Sequence, residues 1–140
     1  MSAKAFLDTN LFVYMQSASD AKKKELSYQA LEKFDCTIST QVLNEFCNVG
    51  AKKLAMKPEQ IRQVINAIDH TCEIAIVTLD TVKKALHLKE RYDFGYYDSL
   101  IIASALESGC AYLLSEDMSD GQIIENSLEI VNIFTRQSFI

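Results

Sequence analysis

The sequence predicts an α/β protein, with a central, mainly parallel sheet of four to five strands flanked by helices. Two observations carry this. Short apolar segments alternate with longer ones of helical periodicity, and almost no hairpin dipeptide joins neighbouring apolar segments. Helical crossovers must then link successive strands. A third observation locates a site. Asp8, Glu45, Asp98 and Asp117 stand where the chain leaves the carboxyl ends of predicted strands or opens the next helix. In an open α/β sheet those points share one rim, where ligands bind.

The elements follow in order. Ala5-Phe6-Leu7 is a strand that ends at Asp8, and Asn10 to Gln16 forms one or two helical turns. Ser19 or Asp20 caps a helix running to about Phe34, with Leu26, Ala30 and Leu31 at helical spacing. Cys36 to Ser39 is a second strand, and Thr40 is placed to cap the next helix, which carries Val42, Leu43, Phe46, Val49 and Leu54. Pro58 opens another helix, since its missing N–H costs nothing in the first turn. Ile61, Val64, Ile65 and Ile68 give that helix one apolar face. The unbroken apolar run Ile74 to Val77 predicts a third strand buried on both faces. A helix from about Asp80 to Arg91 follows, then a break at Asp93-Phe94-Gly95. Tyr97 to Glu107 is the most hydrophobic helix and is stopped by Gly109. Tyr112 to Leu114 is a fourth strand and Ile130 to Ile133 a fifth. No repeat, linker or low-complexity tract interrupts residues 1–140, which read as one domain.

Composition narrows the function. A net charge of -5 and a pI near 5.0 argue against a protein that coats nucleic acid. The charge is uneven: from Asp93 onward eight acids face only Arg136, and the other basic residues precede it. That permits a basic shoulder beside an acidic pocket, although Lys-rich helix faces are commonly just solvated. Cys36, Cys47, Cys72 and Cys110 lack zinc spacing and sit among apolar residues, as buried reduced thiols of a cytosolic protein do. Asp8 breaks any signal-peptide core, and no apolar run approaches the roughly 18 residues of a membrane span. A soluble, cytoplasmic protein is expected.

Each acid has a structural role open to it. Asp8 suits an N-cap. Glu45 could serve the helix dipole or face solvent. Asp98 in the first turn of a buried helix complements that dipole by about 0.3–1 kcal/mol. Asp117 sits among turn formers with Ser115, Asp120 and Gly121. Together they go further, because turns alone rarely place carboxylates after separate parallel strands and at a buried helix start. Clustered carboxylates repel, which raises the pKa of one or more of them, and they supply hard oxygen ligands for Mg²⁺ or Mn²⁺. Thr9, Asn10 and Ser115 add hydroxyl and amide groups able to steady such a pocket. An EF-hand is excluded, since a loop opening at Glu116 would need its bidentate Glu where Ser127 stands. His70 and His87 have no matched ligand pattern, and neither a phosphate-binding P-loop nor a G-x-S-x-G elbow is present. Core packing is expected of Tyr96 and Tyr97 in preference to base contact.

These segments resemble the PIN domain family, in particular its small single-domain VapC-type toxins. Leu7-Asp8-Thr9-Asn10, Gln41-Val42-Leu43-Asn44-Glu45-Phe46, Tyr97-Asp98-Ser99-Leu100-Ile101-Ile102-Ala103-Ser104-Ala105 and Leu114-Ser115-Glu116-Asp117 are similar to its four acidic motifs in order and spacing. The resemblance implies a three-layer α/β/α fold and a Mg²⁺- or Mn²⁺-dependent endoribonuclease. Asp8, Glu45 and Asp98 match the family's metal-binding carboxylates, and Asp117 its more variable fourth acid. Thr9 or Asn10 and Ser115 match supporting polar positions, while Asp120 has no secure counterpart and stays open as a substitute for Asp117. The resemblance further implies an RNA substrate, a homodimer and a cognate antitoxin that holds the toxin inactive.

Metal-assisted hydrolysis of an RNA phosphodiester, leaving a 5′-phosphate and a 3′-hydroxyl, is the chemistry such a pocket fits. Two alternatives remain: a catalytically silent PIN-like module that binds RNA or protein, and a haloacid-dehalogenase-like phosphatase. The second wants an Asp where this chain has Asn10.

Overall fold

The computed structural model describes residues 2–140, and its centre is a sheet of six strands. In chain order the elements are β1 (Lys4–Leu7), α1 (Thr9–Gln16), α2 (Ala21–Lys33), β2 (Asp35–Ser39), α3 (Thr40–Lys52), α4 (Pro58–Thr71), β3 (Glu73–Ala75), α5 (Leu79–Tyr92), α6 (Tyr96–Glu107), β4 (Tyr112–Leu114), β5 (Ile123–Ile124) and β6 (Leu128–Val131), followed by a 3₁₀ turn over Gln137–Phe139. The spatial order is β3-β2-β1-β4-β6-β5. All neighbouring pairs are parallel except β5 with β6. The chain therefore winds outward from β1 to β3, then crosses back to place β4 on the other side of β1. That reversal is a topological switch point, and the crevice at the carboxyl ends of β1 and β4 is where such a sheet takes ligands.

Helices flank the sheet as the alternation predicts. α1 packs on α2, α5 packs on α6, and α3 touches both α1 and α6. α6 buries every residue from Ser99 to Ala105, which explains a segment apolar all round. Phe6, Leu7, Leu11, Phe12, Ile38 and Phe46 form the heart of the core. Among the described residues no helix is long and apolar enough to cross a membrane.

Three expectations need correction. The third strand is an edge strand of Glu73–Ala75, not a strand buried on both faces, and Ile76 is 72% exposed. Apolar continuity cannot distinguish an edge from a centre, because an edge strand has a neighbour on one side only. Thr40 does not cap α3. Ser39 does, through its side-chain oxygen to the Val42 N–H, while the Thr40 hydroxyl accepts the Val77 N–H at 3.1 Å where the edge strand ends. Finally, the antiparallel β5 was not foreseen, and the last strand begins at Leu128. Its hairpin turns at Glu125 and Asn126, both at positive φ, the pattern of a type I′ turn without the usual Asn-Gly pair. The Tyr92 hydroxyl holds it, donating to the Glu125 carboxylate at 2.8 Å and accepting the Glu125 N–H at 3.0 Å.

Of the cysteines, Cys36, Cys72 and Cys110 are buried free thiols, while Cys47 is only half-buried. His70 and His87 are exposed, as expected.

Candidate metal centre

Asp8 ends β1 and is buried, at 8% exposure. Its backbone N–H continues the parallel ladder to the Leu114 carbonyl at 3.0 Å, which ties it to β4. Its side chain caps α1 as anticipated, accepting the Thr9 N–H at 2.7 Å on Oδ1. The other oxygen, Oδ2, accepts the Ser115 hydroxyl at 2.9 Å across the β1–β4 seam. The cap role and a ligand role do not compete, since a carboxylate offers about four lone-pair sites.

Glu45 arrives from α3, and its Oε2 is 3.4 Å from the Thr9 hydroxyl. Asp98 arrives from the first turn of α6, where no side chain caps the helix. Asp117 arrives from the loop after β4 and accepts Asn10 Nδ2 at 2.7 Å, while the Ser115 hydroxyl accepts the Asp117 N–H at 3.3 Å. Thr9, Asn10 and Ser115 thus each bond an acid from another part of the chain.

Electrostatics shows that the four acids share one region. Burial raises the Asp8 pKa, and the charges of Asp98 and Asp117 raise it further, against the Thr9 and Ser115 hydrogen bonds that lower it. Burial, then the charges of Asp8 and Asp98, pushes Glu45 up to about 7. Asp98 is raised by burial and by Asp117. Among the described residues no Lys or Arg forms an ion pair with any of the four; the basic groups pair instead with Glu73, Glu116, Glu125, Asp120 and Glu129. The pocket is a concentration of negative charge that the protein's own cations leave uncompensated.

The acids converge without closing. Among the described residues no three His, Cys, Asp or Glu side chains stand at ready-made ligand spacing. Hydrogen bonds hold Asp8 and Asp117 to neighbours, and like charge opposes closer approach. The donor set is all oxygen and carries excess negative charge, which fits a hard divalent cation. Asp120 lies outside the set: its Oδ1 accepts the Asn132 N–H at 2.8 Å and Arg136 Nε at 3.0 Å.

Sequence reasoning missed Glu116. It accepts the Tyr14 hydroxyl and Lys23 Nζ, each at 2.5 Å, and so fastens the Asp117 loop to α1 and α2. Only its place beside Asp117 hinted at this. Tyr97 is 62% exposed, against the expectation that it packs in the core. A larger cavity than the recess at α3, about 790 Å³, lies elsewhere, lined by Phe12, Met15, Tyr28, Leu54, Val64 and Ile68 among others. It contains no carboxylate and does not share the acidic chemistry.

The fold and pocket define a class: an α/β protein with an acidic crevice at the switch point of a parallel sheet. The PIN domain family model matches residues 5–120, and the chain belongs to that family. Membership displaces the phosphatase alternative. No curated protein is significantly similar in sequence. A toxin–antitoxin complex from Klebsiella pneumoniae is similar in structure, with 25% identity, a TM-score of 0.69, and coverage of 91% of this chain and 96% of that one. The VapC20 toxin of Mycobacterium tuberculosis, described as cleaving the sarcin–ricin loop, has a TM-score of 0.68 at 17% identity, covering 81% of this chain and 89% of its own. VapBC2 from Rickettsia felis, bound to a promoter DNA fragment, has a TM-score of 0.65 at 20% identity, with 92% and 99% covered.

Proposed function

We propose that the chain is a divalent-metal-dependent endoribonuclease, the toxin of a toxin–antitoxin pair, with Asp8, Glu45, Asp98 and Asp117 as its metal-binding and catalytic residues. The observation that carries this is the convergence of four acids from four segments on one crevice, with no Lys or Arg among the described residues paired to them. Family membership and the resemblance to VapC toxins support it. The reading takes residues 1–140 as one domain, acting in the cytoplasm.

Bound Mg²⁺ or Mn²⁺ would supply an activated water and offset charge on the departing 3′ oxygen. The residues do the rest. Thr9 and Ser115 fix both oxygens of Asp8, so its carboxylate is oriented before anything binds. Asn10 does the same for Asp117. Asp98 stands in the first turn of α6, just before the buried stretch Ser99 to Ala105 that anchors the helix in the core. Glu45, raised to about 7, is partly protonated near neutral pH and would give up that proton in favour of a bound cation. No histidine base is required. Lysines outside the pocket would hold the RNA backbone.

A cognate antitoxin as partner and assembly as a homodimer belong to the same proposal. The antitoxin part draws on the similar toxin–antitoxin complexes.

The test is RNA cleavage by the chain freed of any partner. Cleavage in Mn²⁺ that stops with EDTA supports the proposal. RNA or protein binding without cleavage at saturating Mn²⁺ favours a silent binding module.

A further inference from the structure

Beside the acids lies a second, smaller recess of about 370 Å³, lined by Gln41, Asn44, Glu45, Asn48 and Tyr97. That volume falls within the range of about 300–1,000 Å³ typical of small-ligand sites. Gln41, Asn44, Glu45 and Asn48 follow the i, i+3, i+4, i+7 pattern, so three carboxamides and a candidate metal ligand share one face of α3. Asn44 and Asn48 are exposed. Tyr97 closes the opposite side from the start of α6, next to Asp98, and is 62% exposed. Tyr96 meets that ring edge-on, with centroids 5.3 Å apart.

The chemistry of this lining is selective. It contains no Lys or Arg to pair with a phosphate, and its only ionisable acid is Glu45, so nothing in the lining favours a phosphate. It is not an apolar groove either. Carboxamides both donate and accept hydrogen bonds, as the edge of a nucleobase does. An exposed aromatic ring gives a neutral planar group a face to stack on. We propose that the recess lined by Gln41, Asn44, Asn48 and Tyr97 binds the unpaired base of a nucleotide flanking the scissile phosphate and sets sequence preference there. The base stacks on Tyr97 and offers its edge to the amides of α3. This deepens the ribonuclease reading and rests on it for the position of the scissile bond. It also explains a large exposed aromatic beside a charged pocket, where core packing does not.

The experiment uses the free protein and a short single-stranded oligoribonucleotide, with binding read in Ca²⁺ and cleavage in Mn²⁺. A single abasic nucleotide is moved along the strand. At one position it should weaken binding roughly 5- to 100-fold, the range that base–aromatic stacking spans. Tyr97→Ala should weaken intact RNA by a similar factor and lose the abasic penalty, because both changes remove one interaction. Tyr97→Phe should keep the ring and the affinity. Asn44→Ala with Asn48→Ala should flatten base preference at that position and weaken binding of the intact strand. Equal binding by Tyr97→Ala, or an abasic penalty that survives in it, would overturn the subsite and leave the nuclease reading intact. Base-dependent binding through Tyr97 with no cleavage in Mn²⁺ would overturn the nuclease reading and keep the base pocket.

Discussion

Ser115 donates its hydroxyl to Asp8 across the β1–β4 seam at 2.9 Å, joining the ends of two strands that are far apart in sequence. Both residues are buried, so the contact is shielded from water. A hydrogen bond to a buried carboxylate is worth about 1.5–3 kcal/mol. Ser115→Ala should cost about that much in urea unfolding. It should also lower Mn²⁺ affinity and cleavage roughly 10- to 100-fold, the usual effect of removing a group that orients a ligand. Calorimetric titration with Mn²⁺ checks the affinity.

The raised acids make a prediction about pH. Glu45 moves from 4.5 to about 7, and Asp8 and Asp98 move in the same direction. For a carboxyl raised on folding, the folded state holds the proton longer than the unfolded one. Metal-free stability is therefore fully present below pH 4.5 as far as Glu45 is concerned, and it falls as pH rises through about 7. Glu45→Gln should flatten that decline in thermal melts recorded with EDTA. Adding Mn²⁺ at pH 8 should raise the melting temperature of the parent more than that of the variant, and binding should release protons at pH 6–7.

Glu116 and Asp117 are neighbours with separate tasks. Glu116 is bound to Tyr14 and Lys23, and Asp117 is bound to Asn10. Glu116→Gln should cost about 1 kcal/mol of stability, the usual value of a hydrogen bond, and slow cleavage only modestly. Asp117→Asn should affect cleavage more than folding. Chemical denaturation and single-turnover rates on both variants separate the two.

Asp120 is committed to Arg136 and the Asn132 N–H. Asp120→Asn should leave Mn²⁺ affinity and cleavage within about twofold and cost at most about 1 kcal/mol, as partly exposed pairs do.

Much of this was legible in the residues. An acid ending an apolar strand costs free energy unless it is capped or compensated, so Asp8 stood out, as did Asp98 just before the buried body of α6. The parallel sheet followed from helices between strands. Edge and centre did not, because the apolar run Ile74 to Val77 reads like an inner strand although only Ile74 and Ala75 of it lie in β3. The β5–β6 hairpin was hidden since its turn places Glu125, not a usual turn residue, at positive φ, and Tyr92 holds Glu125 through a tertiary contact no local pattern announces. Glu116 stayed hidden for the same reason: Tyr14 and Lys23 meet it from distant parts of the chain. Tyr97 looked like core because it opens the most apolar helix, yet it faces outward in the first turn.

The most direct test is anomalous scattering from crystals grown with saturating Mn²⁺. A peak within ligand distance of Asp8 and Asp98, with Glu45 and Asp117 bound directly or through water and the peak lost in Asp98→Asn, is the expected result. A crevice without a peak, or a peak unchanged by Asp98→Asn, would contradict a shared cation site.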